Sequence, residues 1–137
     1  MKMQSNQVFL SALDRILFGS GFMLVGNIGR MQIDSRIYHF HVFGEYLTIQ
    51  LKREPATGAI ECGMQSCVLE GSDYKDDDLG HRFFRFQSTI NTGNEIIQAA
   101  QQFAEYVRSA RQVKSLNEIN KKLEQLLQKP PEWYLCH

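Results

Sequence analysis

At 137 residues the chain has the size of one domain and is long enough to bury roughly two-thirds of its unfolded surface around a single core. With 43% hydrophobic and 22% charged residues its composition is that of a globular protein, and no apolar run nears the ~20 residues a membrane span requires. A formal net charge of zero argues against a nucleic-acid binder that works through bulk charge.

Three cysteines, Cys62, Cys67 and Cys136, form an odd set without Cys-x-x-Cys spacing, which predicts reduced thiols and no disulfide framework. The opening Met1-Lys2-Met3-Gln4 leads into polar residues and then an amphipathic segment, unlike a secretory signal. A cytoplasmic location with no membrane partner is therefore expected, and so is a single α+β domain over residues 1–137.

In chain order, Ser5 to Phe18 spaces Phe9, Leu13, Ile16 and Leu17 along one helical face, with Ser5 or Asn6 as N-cap and Gly19 and Gly21 as the stop. Phe22 to Asn27 is a lead-in that could extend the first strand through a bulge. Ile28 to Lys52 reads as three antiparallel strands. Within it, Phe43-Gly44-Glu45-Tyr46 offers Gly44 as the first central residue of a type II′ turn, which pairs Val42 with Leu47, Phe40 with Ile49 and His39 with Gln50. That pairing sorts Tyr38, Phe40, Val42, Leu47, Ile49 and Leu51 onto one face. His39, His41, Thr48, Gln50 and Lys52 fall on the other, with Ile37, Phe43 and Tyr46 at its ends. Asp34-Ser35 is the expected upstream turn, placing Arg30 opposite His39.

Pro55 to Gly58 is a turn by composition, and Ala59 to Glu70 is a strand whose parity changes near Gln65 and Ser66, the mark of a bulge. Gly71 to Gly80, with Asp73, Asp76, Asp77 and Asp78, reads as a solvated loop lacking the spacing of a calcium-binding loop. His81 to Ile90 is the last strand, with Phe84, Phe86 and Ile90 facing inward. Thr92 with Glu95 suggests a capping box opening a helix to about Val113, and Ser115 with Glu118 suggests a second. The second helix carries Leu116, Ile119, Leu123, Leu126 and Leu127 and ends before Pro130-Pro131. Trp133 in the tail predicts docking of that segment. The expected fold is thus α+β: an N-terminal helix, an antiparallel meander of about five strands, and two C-terminal helices packed on one face.

The sharpest chemical feature is His39-x-His41, two imidazoles on one side of a strand, as in many β-sheet metal sites. A zinc site needs a third ligand, and the predicted neighbours Arg30, Thr48 and Gln50 supply none; His81 or Cys62 would have to fold over this face. Cys62 and Cys67 sit in apolar strand contexts that favour inert thiols. No nucleophile elbow, phosphate-binding glycine loop or dinucleotide fingerprint occurs, and no cofactor is implied. Arg108, Arg111, Lys114, Lys121 and Lys122 outnumber Glu118 and could form an anionic contact surface.

These features favour a non-enzymatic binding or protein-interaction module working as a homodimer. Its binding face would carry Arg30, Ile37, His39, His41, Phe43, Tyr46, Thr48 and Gln50, with the C-terminal helix as a second surface. One alternative is a single-stranded nucleic-acid binder using the same face. A further one is a small metal-dependent enzyme built on His39 and His41.

Overall fold

The computed structural model describes residues 5–29 and 34–128. The elements run α1 (Asn6–Gly19), β1 (Phe22–Gly29), β2 (Asp34–Val42), β3 (Glu45–Arg53), β4 (Ala59–Glu70), β5 (Asp73–Gln87) and α2 (Thr92–Gln128). The five strands form one antiparallel sheet in sequence order, β1-β2-β3-β4-β5. No helix among the described residues is long and apolar enough to cross a membrane.

Helix α1 is capped as its sequence predicts, the Ser5 hydroxyl accepting from the Val8 amide at 3.3 Å. Its buried stripe is Leu10, Leu13 and Leu17, so Leu10 takes the place expected of Ile16, which is 41% exposed. Each buried leucine contributes roughly 1.5–3 kcal/mol, the tertiary support that a helix of this length requires. Asp14 ties the helix to the sheet by accepting from the Tyr38 hydroxyl and, at 3.4 Å, from Arg36 Nε.

The lead-in Phe22 to Asn27 belongs to β1, and the bulge falls between Leu24 and Gly26. The Asp34-Ser35 turn does not form, because both residues belong to β2 and Gly29 pairs with Asp34. Residues 30–33, Arg30 among them, lie outside the described residues. Met23, not Arg30, stands opposite His39.

The β2–β3 turn is also displaced. Val42 pairs with Glu45, His41 with Tyr46, Phe40 with Leu47 and His39 with Thr48, so the central residues are Phe43 and Gly44. Their φ angles of 54° and 78° are those of a type I′ turn, whose twist matches the flanking strands better than the sequence-predicted alternative. Sliding one strand past the other by two residues leaves every side chain on its face. The predicted sorting therefore holds while the predicted pairs do not: Tyr38, Phe40, Leu47, Ile49 and Leu51 are buried in the core.

Strand β4 runs over its predicted span, and its register with β5 shifts between Gln65 and Cys67, but its pairing with β3 is regular, so the expected change of parity within β4 does not occur and Cys67 stays on the side of Gln65. The extra residues lie on β5. Gln65 pairs with His81 and Cys67 with Asp76, so Asp77 to Gly80 bulge opposite Ser66. The acidic stretch is thus strand and bulge, not a solvated loop, and the hairpin connection shrinks to Gly71-Ser72. Asp77 is held because Arg111 Nη1 donates to it at 2.8 Å. Ile90 leaves the strand and is exposed.

Beyond the sheet there is one C-terminal helix of 37 residues, not two. No glycine or proline interrupts it near Val113 to Ser115, so the hydrogen-bond ladder continues through the supposed second cap. The first cap also differs. The Glu95 amide donates to the Asn91 carbonyl at 3.0 Å, whereas the Thr92 hydroxyl pins the β5–α2 corner by donating to the Gln87 carbonyl at 2.7 Å and accepting from the Thr89 amide at 2.8 Å. Ile96, Ala100, Phe103, Ala104 and Val107 bury one stripe of α2 against the sheet. Gly93 allows α1 to cross, since a Cβ there would stand 2.7 Å from the Ile16 side chain. Pro130-Pro131 and the Trp133 tail lie outside the described residues.

Candidate functional site

Both helices pack on the face bearing Tyr38, Phe40, Leu47, Ile49 and Leu51. Among the described residues no helix covers the opposite face, and the registers arrange it in rows. Met23, His39, Thr48, Gln65 and His81 stand side by side across all five strands. One row nearer the β2–β3 turn come His41, Tyr46, Cys67 and Asp76, and one row further away come Ile37, Gln50, Gly63 and Phe83. The outermost row adds Lys52, Glu61 and Arg85.

A cluster of rings forms at one end of this face. His41 stacks on Tyr46 at 4.1 Å with 6° between the planes, and His39 meets Tyr74 at 3.8 Å. Tyr46 and Tyr74 close the group edge to face at 5.5 Å. Tyr74 lies on β5, three strands from β2 and so roughly 14 Å away across a flat sheet. Its contact with His39 means that the end of the β4–β5 hairpin curls over the face and makes it concave.

Beneath the rings lies Cys67, almost wholly buried, its thiol donating to the Tyr46 carbonyl at 3.2 Å and 3.6 Å from the Thr48 hydroxyl. Burial raises this thiol above its ordinary value, and the carboxylates of Asp76 and Asp77 add to the effect. Cys62, on the core face, is pushed up to about 12 by burial. Both therefore stay protonated at neutral pH, the state in which a thiol is a poor nucleophile. Burial likewise lowers the His39 imidazole, whose Nδ1 is enclosed with no hydrogen-bond partner among the described residues.

The predicted face residues Ile37, His39, His41, Tyr46, Thr48 and Gln50 come together on this surface, Gln50 held by donation from Nε2 to the Ser35 hydroxyl at 3.3 Å. Phe43 stands at its rim in the turn. The proposed third metal ligands do not converge. Cys62 points into the core, and His81 shares the His39 row three strands away. Among the described residues no three His, Cys, Asp or Glu side chains gather as a ligand set.

The basic residues of α2 do not adjoin this face either. Arg111 is on the helix side, bound to Glu45 at 2.9 Å and Asp77 at 2.8 Å, and Lys114 lies 3.6 Å from Asp78. Sequence reasoning missed Met23, Cys67, Leu69, Tyr74 and Phe83. Phe83 was visible in principle, because the alternation that places Phe84 and Phe86 inward places Phe83 outward. Its ring covers Gly63, where a Cβ would lie 3.4 Å from it. Tyr74 was hidden by its acidic neighbours. No family model, curated protein or solved structure matches the chain.

Proposed function

We propose that the chain is a non-enzymatic interaction module, working as a homodimer, that receives a protein partner on the uncovered concave face of its sheet. The observation that carries this is the exposure of large apolar side chains there, Phe83 at 76% and Met23 at 53%, with Phe43 and Leu69 also exposed toward the end that bears the ring cluster. Large apolar side chains exposed on an uncovered sheet face mark partner sites, and the rings of His39, His41 and Tyr46 on the strands between Met23 and Phe83, with Tyr74 of β5 against them, supply the rigid aromatic anchors that dominate protein interfaces. The protonated, buried thiols and the separated histidines support a binding role over a catalytic one.

Single-stranded nucleic acid on the same face is the second reading, favoured by the His41–Tyr46 stack and the open Phe83 ring, on which bases could lie. The charged residues of the face, Lys52 and Arg85 against Glu61 and Asp76, balance one another, and this weighs toward protein.

The test is selection of displayed peptides on the full chain, followed by solution affinities for the wild type and a Phe83→Ser/His41→Ser variant. A loss of about tenfold or more in the variant is expected for an anchor pair. Equal affinity for both chains removes the face from the reading. A labelled oligothymidine of about 20 nucleotides is titrated alongside. Salt-sensitive binding that the variant loses, without any selected peptide, would replace protein with nucleic acid as the ligand.

A further inference from the structure

Helix α2 carries two apolar stripes that do not share a side. At 100° per residue, the buried stripe through Ile96, Ala100, Phe103 and Val107 and the later stripe through Leu116, Ile119, Leu123 and Leu126 are roughly 150° apart around the axis. The 37 residues extend for about 55 Å. The Arg111 contacts to Glu45 and Asp77 anchor the helix to the body, and every residue from Gln112 to Gln128 is exposed. The second stripe thus points away from the sheet on a segment that the protein's own core does not use.

Leu116, Ile119, Leu123 and Leu126 follow one another at intervals of three, four and three, the a and d positions of a heptad. Val113, Asn120 and Leu127 then occupy successive e positions. In a parallel pair these would face g positions, setting Leu127 beside Lys122. In an antiparallel pair e faces e. Val113 meets Leu127 of the second chain at both ends, Asn120 meets its own copy at the centre, and the core layers join Leu116 to Leu126 and Ile119 to Leu123.

Only the antiparallel register shelters all six apolar side chains, and it overlaps the projecting segment 113–128 with the same segment of the other copy. All six are more than half exposed. Together they present roughly 700 Å² per chain, so two copies bring enough surface to reach the range of stable interfaces. The one unfavourable contact is Lys122 against its copy, a solvated pair of small cost.

We infer that the projecting half of α2 is a dimerisation arm that pairs antiparallel with a second copy of this chain, leaving both concave sheet faces free. This rests on the homodimeric reading and names the surface responsible. The pairing is isologous and closed, so it stops at two copies.

The test is sedimentation equilibrium of the full chain as wild type, as Ile119→Glu/Leu123→Glu and as Phe83→Ser/His41→Ser. The expected result is a wild-type dimer, association weakened about 100-fold or more by the two glutamates, which must be buried without a partner, and no change in the sheet-face variant. Circular dichroism of the glutamate variant should retain the wild-type fold, because both positions are solvent-facing.

A dimer that survives the glutamates, or that the sheet-face variant breaks instead, overturns the arm and leaves the homodimer standing. A wild-type monomer at millimolar concentration overturns both, while peptide binding by the sheet face is judged separately. Orientation is read from nitroxide labels at Asn120→Cys or Gln128→Cys, each with Cys136→Ser. Antiparallel pairing brings the Asn120 labels together and sets the Gln128 labels about 20 Å apart along the axis. Gln128 labels with no offset along the axis, and Asn120 labels held apart on opposite flanks of the seam, indicate a parallel pair and overturn the inferred geometry.

Discussion

Phe43 occupies a turn position that requires positive φ, and it is the only non-glycine residue in that region among the described residues. A side chain held there costs about 1–2 kcal/mol, whereas asparagine tolerates it and precedes glycine in the commonest type I′ turns. Phe43→Asn is expected to raise stability by about 1 kcal/mol, read from the urea midpoint at unchanged slope. The same variant should weaken any partner that uses the Phe43 ring, which would explain why a strained residue is kept at the rim of the face. His39 makes a second prediction at this scale. Burial lowers its imidazole, so protonation favours the unfolded chain. The associated stability is intact above the ordinary value of about 6.5 and is lost as pH falls from there toward the depressed folded value. His39→Gln should therefore lose less stability than wild type between about pH 7.5 and about pH 5.5 in urea titrations. An equal loss in both chains would assign the effect to other groups.

Arg111 works at the scale of elements. Its guanidinium joins the start of β3 through Glu45, the bulge of β5 through Asp77, and α2 itself. Hydrogen bonding to Glu45 raises Arg111, and although burial alone would raise the Asp77 carboxyl, Arg111 holds it below the ordinary carboxylate range. Arg111→Met strands two largely buried carboxylates and is expected to cost about 2 kcal/mol, less than a fully enclosed pair because the arginine is partly solvated. Glu45→Gln with Asp77→Asn in that background should recover about half of the loss, measured by urea unfolding. This anchor also shows why two elements were misread in the sequence. Four aspartates within six residues read as a loop because the strand pairing with β4 and the cation that makes them tolerable come from distant parts of the chain. At Val113 to Ser115 the apolar stripe of α2 changes sides, and a change of face in an unbroken helix resembles the start of a new one.

At the scale of the molecule, the sorting of the sheet into a core face and an opposite, more polar face was legible from Tyr38 to Leu51, because alternation survives a two-residue error in register. The curl of the β4–β5 hairpin that brings Tyr74 to His39 was not, since it depends on a bulge of four residues against one and on a contact across three strands. The projecting half of α2 was legible as a seam of leucines but not as a projection, because pattern alone does not reveal where the body of the protein stops. The consecutive order of the strands carries a kinetic consequence. Each strand finds its mate beside it in the chain, so the sheet can assemble as a relay of hairpins with short loops to close, and topology of this kind favours rapid folding. The long search is left to the ends, where Ile16 must meet Gly93 across most of the chain, and the seating of α1 against α2 should be the last step to lock.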